Sequence, residues 1–321
     1  MRIASLLMLL LTFSACRPAE PAKAAGGSYN WTEVVRAAPY PGGYNFPVFV
    51  QNGRAFAVLP EGIWSTENGA DWRREPLSST GLNSGYLKYV QHDGAVYALG
   101  TMTGNYLGYR VDPVIMRTTD FKNWERVGTA TTLPPYIFYG VISFKGALWM
   151  IGGADVSGPK AEVWRSEDAL AWTRVVEQAP WSARSGGQLV VFHDGLWLIG
   201  GGVTDGPLAN DVWSSPDGVT WARETAEISP DQPTGYRAVV FDDHLWLVGA
   251  NRSGRFGSEM LVSRDGAAWA AQTAPWSPRG APAVWTMDRA LFLTGGKYSR
   301  PGPGGESVFV YSHDVWRMKG R

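Results

Sequence analysis

Apolar residues along this chain fall in short runs separated by tight turns, and the pattern repeats about every fifty residues. One unit contains residues 189–192, the turn His193-Asp194-Gly195, and then residues 196–201. Such runs are four to six residues long, rich in aromatic and β-branched side chains and bounded by glycine, which favours strands over helices. We therefore predict a buried antiparallel hairpin in each unit.

A tryptophan marks the same point in successive units. The marked residues are Trp72, Trp124, Trp172, Trp221, Trp269 and Trp316, spaced 47 to 52 residues apart. A turn of the form Ser/Thr-x-Asp-(Gly)-x-x-Trp leads into most of them, and its Asp side chain is suited to accept backbone N–H groups while glycine supplies a positive φ. Four strands per unit and six units predict an all-β, six-bladed β-propeller.

The two ends of the chain offer two ways to close this ring. Residues 30–35, which include Trp31, resemble the fourth strand of a unit and have no first three strands before them. Alternatively, Ser312-His313-Asp314 resembles the turn, and Trp316 then begins the fourth strand of the last unit. Both alternatives give six blades with paired edges.

The repeat resembles the kelch-like and galactose-oxidase-type propellers from Trp31 onward. The pairs Gly152-Gly153, Gly200-Gly201 and Gly295-Gly296 stand where kelch repeats have a double glycine, and the Ser-x-Asp-Gly-x-x-Trp turn resembles the Asp-box of sialidase-type propellers. In both families this turn is structural, so the resemblance implies a fold and no catalytic residue. Copper galactose oxidase chemistry is excluded, because it needs a cysteine in the site and Cys16 is the only one.

The N-terminus has the pattern of a bacterial lipoprotein. Residues 1–15 are predicted to be a signal peptide, since Met1-Arg2 precedes an apolar run that is short for a membrane span. Small residues lead to Cys16, which is predicted to be acylated, and residues 16–29 form a Pro-, Ala- and Gly-rich tether before a propeller over residues 30–321. By resemblance to Gram-negative lipoproteins, Arg17 suggests the outer membrane, with the leaflet left open.

Charge and composition narrow the possible partners. The 29 basic and 29 acidic residues cancel, which argues against nucleic acid or an anionic lipid surface as an electrostatic partner. The four histidines have no metal-ligand spacing, so neither a metal nor another cofactor is predicted. We expect a monomer that reaches the membrane only through its lipid anchor.

Candidate ligand-binding residues lie in the loops that enter the blades. Arg184 and Arg279 occur in matching segments, Trp181-Ser182-Ala183-Arg184 and Trp276-Ser277-Pro278-Arg279, and Arg237 follows Tyr236 in the blade between them. Three guanidinium groups at one end of the channel could bind a carboxylate, and the aromatic rings could stack on sugars. The competing interpretation is that these arginines hydrogen-bond carbonyl groups of neighbouring loops.

These observations predict an exported propeller that recognises a protein or a glycan at the cell envelope, without catalysis. The alternative is an enzyme acting on an acidic sugar, such as a mutarotase or epimerase resembling the sialic-acid epimerase propellers, or a lyase. A Glu or His with a raised pKa beside the arginines would indicate the enzyme. A structural envelope protein that uses its outer blade edges is a third class.

Lipidation at Cys16 is directly testable. We expect Cys16→Ser to abolish incorporation of a fatty-acid label and to move the chain from the membrane fraction to the soluble exported fraction, because only a thiol accepts the diacylglycerol. Labelling followed by cell fractionation measures both effects. Unchanged labelling of the variant would contradict the prediction.

Overall fold

The computed structural model of the chain describes residues 29–77, 86–105, 108–202, 208–252 and 255–320. The predicted signal peptide, Cys16 and nearly all of the tether lie outside the described residues. Within these ranges every regular element is a strand, and the main ones form six four-stranded antiparallel sheets. None of the described segments is a helix long and apolar enough to span a bilayer. The all-β, six-bladed propeller is confirmed.

Each blade contributes one strand to each of four concentric layers. The first strands, which line the central channel, are Val48–Gln51, Tyr86–His92, Gly140–Phe144, Gln188–Phe192, Arg237–Phe241 and Ala283–Met287. The second strands are Arg54–Leu59, Ala95–Asn105, Ala147–Ile151, Gly195–Gly201, His244–Arg252 and Ala290–Thr294. The third strands are Gly62–Thr66, Gly108–Thr118, Val163–Ser166, Ala209–Ser215, Arg255–Ser263 and Val315–Lys319. The fourth strands are Arg73–Arg74, Glu125–Thr129, Thr173–Val176, Ala222–Thr225, Ala270–Thr273 and, for blade six, Trp31–Val35.

Two further hairpins extend the loops between second and third strands. One, in blade three, pairs Ala154–Asp155 with Gly158–Pro159, and the other, in blade six, pairs Lys297–Pro301 with Ser307–Tyr311. Both stand at the end of the ring where the first strands begin. They therefore help to form the surroundings of the channel entrance.

The N-terminal strand closes the ring. Trp31–Val35 pairs antiparallel with Val315–Lys319, with Trp31 opposite Met318, and so forms the outer strand of blade six. The alternative that makes Trp316 the start of a fourth strand is wrong, because Trp316 pairs with Leu293 and lies in the third strand. Asp314 accordingly precedes a third strand. Trp31 is the counterpart of Trp221, since each packs edge-to-face on the tryptophan of an entering loop.

The repeated turn is closed by hydrogen bonds of its own side chains. In blade four, Ser215 Oγ accepts the N–H of Gly218 at 2.7 Å, and Asp217 Oδ1 accepts the N–H groups of Val219 and Thr220 at 2.8 and 2.7 Å. These backbone donors hold the pKa of Asp217 below its ordinary value. The Trp221 indole N–H donates to the carbonyl of Gly218 at 3.1 Å. The predicted structural role of the turn is confirmed here.

The turn also joins neighbouring blades. An aromatic residue on the second strand of one blade packs against the turn of the next: Phe56 stacks on Phe121 with centroids 4.1 Å apart, and Trp149 lies against Gly218. A Cβ on Gly218 would approach the Trp149 ring to 2.4 Å, so the close contact requires glycine. Trp197 and Gly266, and Phe292 and Gly69, repeat the arrangement.

Alanine at Gly218 tests this contact. Gly53 provides a matched control, because its φ of 72° is close to the 80° of Gly218 while a Cβ there would meet nothing within 4 Å. Both Gly218→Ala and Gly53→Ala place alanine in a left-handed backbone conformation, which destabilises the fold. Only Gly218→Ala must also displace an indole ring. We expect Gly218→Ala to lower the free energy of unfolding by roughly 1–3 kcal/mol more than Gly53→Ala, measured by denaturant unfolding. Equal losses would contradict the packing argument.

Candidate functional site

The central channel contains one layer of equivalent positions that is partly polar. Strand register places Lys88 opposite Leu99, Gln188 opposite Ile199 and Arg237 opposite Val248, at the same level of blades two, four and five. Blades one, three and six contribute Pro47, Gly140 and Ala283 at this level. We call these six residues the polar layer. All six line a cavity of about 490 Å³ on the axis.

Arg237 is fixed at the edge of this cavity by two hydrogen bonds. Its Nε donates to the carbonyl of Pro282 at 3.3 Å, and an Nη donates to the side-chain oxygen of Asn45. Asn45 adopts a φ of 60°, which asparagine tolerates better than most residues, and its own N–H donates to the carbonyl of Ala281 at 2.9 Å. Burial lowers the pKa of Arg237 to about 10, so the guanidinium stays charged at neutral pH.

Lys88 faces the same cavity from the opposite side of the ring, since blades two and five are three positions apart. Burial and, as the smaller cause, the positive charge of Arg237 together lower the pKa of its amine to about 8. The neighbouring first strands, Val48–Gln51 and Gly140–Phe144, contain no charged residue. Among the described residues that line the cavity there is no Asp or Glu to neutralise either cation.

Arg184 and Arg279 do not join Arg237 at this cavity. They are 3% and 0% exposed, and each is paired bidentately with an aspartate of its own blade. Arg184 binds Asp211 at 2.5 and 3.1 Å, and Arg279 binds Asp314 at 2.6 and 2.8 Å. Each arginine also donates to a serine carbonyl and to a carbonyl of the double glycine. These guanidinium groups are used to hold the entering loops, as in the competing interpretation given above.

Two tryptophans share these ion pairs. The indole N–H of Trp213 donates to Asp211 at 2.9 Å, and that of Trp316 donates to Asp314 at 2.7 Å. Burial alone would raise the pKa of Asp211, but the hydrogen bonds from Arg184 and Trp213 outweigh it and lower that pKa. The same balance lowers the pKa of Asp314. Blades four and six therefore contain the same arrangement, in which an aspartate at the third strand accepts hydrogen bonds from a loop arginine and from a tryptophan two residues later. This arrangement locks the entering loop onto its blade.

The predicted stacking residues Trp181, Tyr236 and Trp276 are buried. Trp181 packs edge-to-face on Trp221 at 4.6 Å, and Trp276 packs in the same way on Trp31 at 4.4 Å. Burial raises the pKa of the Tyr236 hydroxyl. Their rings fill the space between strands and loops and do not face the channel. Of the six predicted ligand-binding residues, the structure brings only Arg237 to the cavity.

Other aromatic rings stand exposed at the edge of the cavity. Tyr44, which lines the cavity, stacks on Tyr311 with ring centroids 5.6 Å apart, and Phe309 on the same hairpin is 51% exposed. The amine of Lys297 lies 4.3 Å from the Tyr44 ring centroid and 4.9 Å from that of Phe309. We call Tyr44, Lys297, Phe309 and Tyr311 the rim cluster. It combines flat apolar faces with a positive charge next to the channel.

Sequence reasoning missed Lys88, Asn45 and Gln188. The available signal for Lys88 was a charged residue inside the first apolar run of a unit, at a level where four of the other five blades have an uncharged residue. Asn45 lies in a loop with no repeat to compare. No group of three or more His, Cys, Asp or Glu with metal-binding geometry occurs among the residues that the structure describes.

Comparison with known proteins supports the fold alone. No family model matches the chain, and no curated protein matches it. A solved structure titled "Structure of YjhT" is similar, with a TM-score of 0.69 and 15% sequence identity over 89% of this chain and 97% of that one. At this identity the likeness shows a shared propeller architecture and carries no residue roles.

The locking role of Arg184 predicts a large effect on stability. Arg184→Met leaves the half-buried Asp211 without its partner, and we expect a loss of about 2–4 kcal/mol, somewhat less than for a fully buried pair. Arg36→Met removes an exposed arginine whose partner Glu33 lies at 3.6 Å, and we expect a change within about 0.5 kcal/mol. Denaturant unfolding measures both.

The pH dependence has a definite sign. Because the pKa of Asp211 is lowered in the folded state, its contribution is present at neutral pH and is lost as the pH falls through the folded pKa. The stability difference between wild type and Arg184→Met should therefore shrink in acid. A small effect of Arg184→Met at neutral pH would contradict the structural role of this arginine.

Proposed function

We propose that this chain is an exported, lipid-anchored, kelch-like propeller of the galactose-oxidase type, held at the bacterial outer membrane through Cys16, whose channel recognises a carboxylate-bearing glycan. The observation that carries the proposal is the pair of cations, Arg237 and Lys88, on opposite sides of one cavity that has no acidic residue among its described lining. The lipoprotein pattern of residues 1–16 supports the anchoring, and the double glycines support the kelch-like assignment.

The charge and setting of the cavity favour an anion. Two positive groups held in a partly desolvated channel attract a carboxylate more strongly than the same groups in bulk water. Arginine also offers paired N–H donors that match the two oxygens of a carboxylate. Asn45 and the Pro282 carbonyl fix the position of the Arg237 side chain before a ligand arrives, which lowers the ordering cost of binding.

The size and rim of the cavity favour a sugar as the carrier of the carboxylate. A volume of about 490 Å³ lies in the range of small-molecule sites. The rim cluster places exposed aromatic rings beside the entrance, where the apolar face of a following sugar residue would rest. We therefore favour an acidic saccharide with its charged residue in the channel and a neighbouring residue on Tyr44.

An enzyme acting on an acidic sugar is the second candidate, and Lys88 is the observation that favours it. An amine whose pKa is close to neutrality is suited to accept or donate a proton. Such an enzyme would be a mutarotase, an epimerase or a lyase. Proton NMR of the sugar incubated with the protein distinguishes the two functions, because recognition leaves the ligand unchanged while catalysis alters its anomer, epimer or unsaturation.

Removal of either channel cation should weaken binding of acidic sugars. We expect Arg237→Met and Lys88→Met each to lower the affinity for a sialylated or uronic-acid oligosaccharide about tenfold or more, because each deletes a charge-assisted contact. Lys145→Met is the matched control, since it removes an exposed lysine from the hairpin turn at the other end of blade three. Calorimetric titration of the detergent-solubilised full chain gives the three affinities.

The same titrations have a pH signature. Wild-type affinity should fall as the pH rises through about 8, because Lys88 loses its proton there. The affinity of Lys88→Met should not show this fall. Equal binding of an acidic oligosaccharide and its neutral counterpart, or selective binding of an acidic protein with no response to acidic glycans, would overturn the glycan assignment.

A further inference from the structure

Lys88 has an environment that differs from that of the chain's surface lysines. It projects from the first strand of blade two into the axial cavity, is half-buried, and pairs through its backbone with the apolar Leu99. Lys145, by contrast, is exposed and donates to the carbonyl of Pro216 at 2.7 Å. Among the described residues, the charged group that acts on Lys88 is Arg237, which has the same sign.

These conditions favour the neutral amine. A cationic neighbour and partial removal from water both disfavour protonation, and the cavity offers no carboxylate that would restore it in the part of the chain that the structure describes. A neutral amine has a free electron pair and is a nucleophile. Lysines activated in this way, by desolvation or by a second cation, are the ones that react with carbonyl groups.

We propose that Lys88 forms a reversible imine with aldehydes or ketones that carry a carboxylate, with the carboxylate held by Arg237. This inference rests on the proposed function, because Arg237 is taken as the carboxylate site. It adds that the ligand also carries an aldehyde or ketone group. The cavity has an electrophile-capturing amine on one side and an anion-binding guanidinium on the other. A carbonyl acid is the kind of molecule that uses both.

The step balances without a further reactant. The Nζ electron pair forms a bond to the carbonyl carbon, and the carbonyl π electrons move to oxygen, which takes up a proton to give a carbinolamine. Loss of that oxygen as water, together with the remaining N–H proton, leaves a C=N bond. The net change is an amine and a carbonyl compound converted to an imine and one water, and hydrolysis reverses it.

Reductive trapping tests the proposal on the full chain. The probes are succinic semialdehyde and butyraldehyde, which have similar chain lengths and differ in the carboxylate, each added with cyanoborohydride to reduce an imine irreversibly. Peptide mass mapping follows the modification of Lys88 and Lys145 in the same sample. We expect Lys88 to react at least about tenfold faster than Lys145, with a rate that rises through a pH of about 8, and to prefer succinic semialdehyde over butyraldehyde.

Variants separate the two parts of the proposal. Lys88→Arg keeps the positive charge but has no nucleophilic amine, so it should lose the fast modification. Arg237→Met should abolish the preference for succinic semialdehyde and shift the pH profile of Lys88 upward, since a neighbouring cation is gone. Because the rates and the pH profile are measured on the wild-type protein, the test does not depend on the folding of a variant.

The possible failures are distinguishable. If Lys88 reacts no faster than Lys145 while acidic sugars still bind, the imine proposal is overturned and the proposed function stands. If Lys88 reacts fast but equally with both aldehydes, the carboxylate part of the proposal is overturned. If, in addition, Arg237→Met leaves sugar binding unchanged, the proposed function falls as well.

Discussion

The contact between one blade's second strand and the next blade's turn is the interaction on which this ring depends. A single four-stranded sheet has two apolar faces and cannot cover either one, so every blade must be covered by its neighbours. The aromatic ring at the start of each second strand provides much of that cover. It rests on a turn whose shape is fixed by Ser and Asp side chains, so local hydrogen bonding determines how closely two blades approach. In the last interface Tyr29 replaces the turn and packs on Trp246 at 4.8 Å.

The repeat could be predicted from the sequence because its signals are local. The hairpins, the turn and the tryptophan after it each follow from a few adjacent residues, and five of the six marked tryptophans immediately precede a fourth strand, where the sequence pattern predicts the strand to begin. Trp316 was misplaced because its spacing fits the period while its strand differs. The distinction between a third and a fourth strand requires knowledge of which strands pair with the one that contains Trp316. One of them, Trp31–Val35, lies at the other end of the chain.

The candidate site was less predictable, for a physical reason. Arginine and tryptophan in a loop have the same appearance in sequence whether they face a ligand or their own blade. Arg184 can pair with Asp211 only when the strands of the blade are assembled, and the contact between Trp181 and Trp221 depends on the same assembly. Lys88 and Arg237 are 149 positions apart in sequence and become neighbours only when blades two and five face each other across the axis. Local sequence patterns contain no information about which residues of distant blades face each other across the channel.

Two sets of buried or half-buried cations in this propeller differ in whether a carboxylate lies beside them. Arg184 and Arg279 are buried beside carboxylates and carbonyls of their own blades, and indole donors bind the same carboxylates. The carboxylates offset the charge of the guanidinium groups, and the hydrogen bonds fix the entering loops. Lys88 and Arg237 have the same charge in a cavity that provides no acidic side chain among its described residues. Burial lowers the pKa of both side chains, and the charge of Arg237 also lowers that of Lys88. Local consistency is the rule in folded proteins, and departures from it concentrate at functional sites. Small or apolar residues occupy the other three positions of the same layer. The function proposed for the channel accounts for this layer, because a carboxylate between Lys88 and Arg237 supplies the negative charge that the described lining lacks.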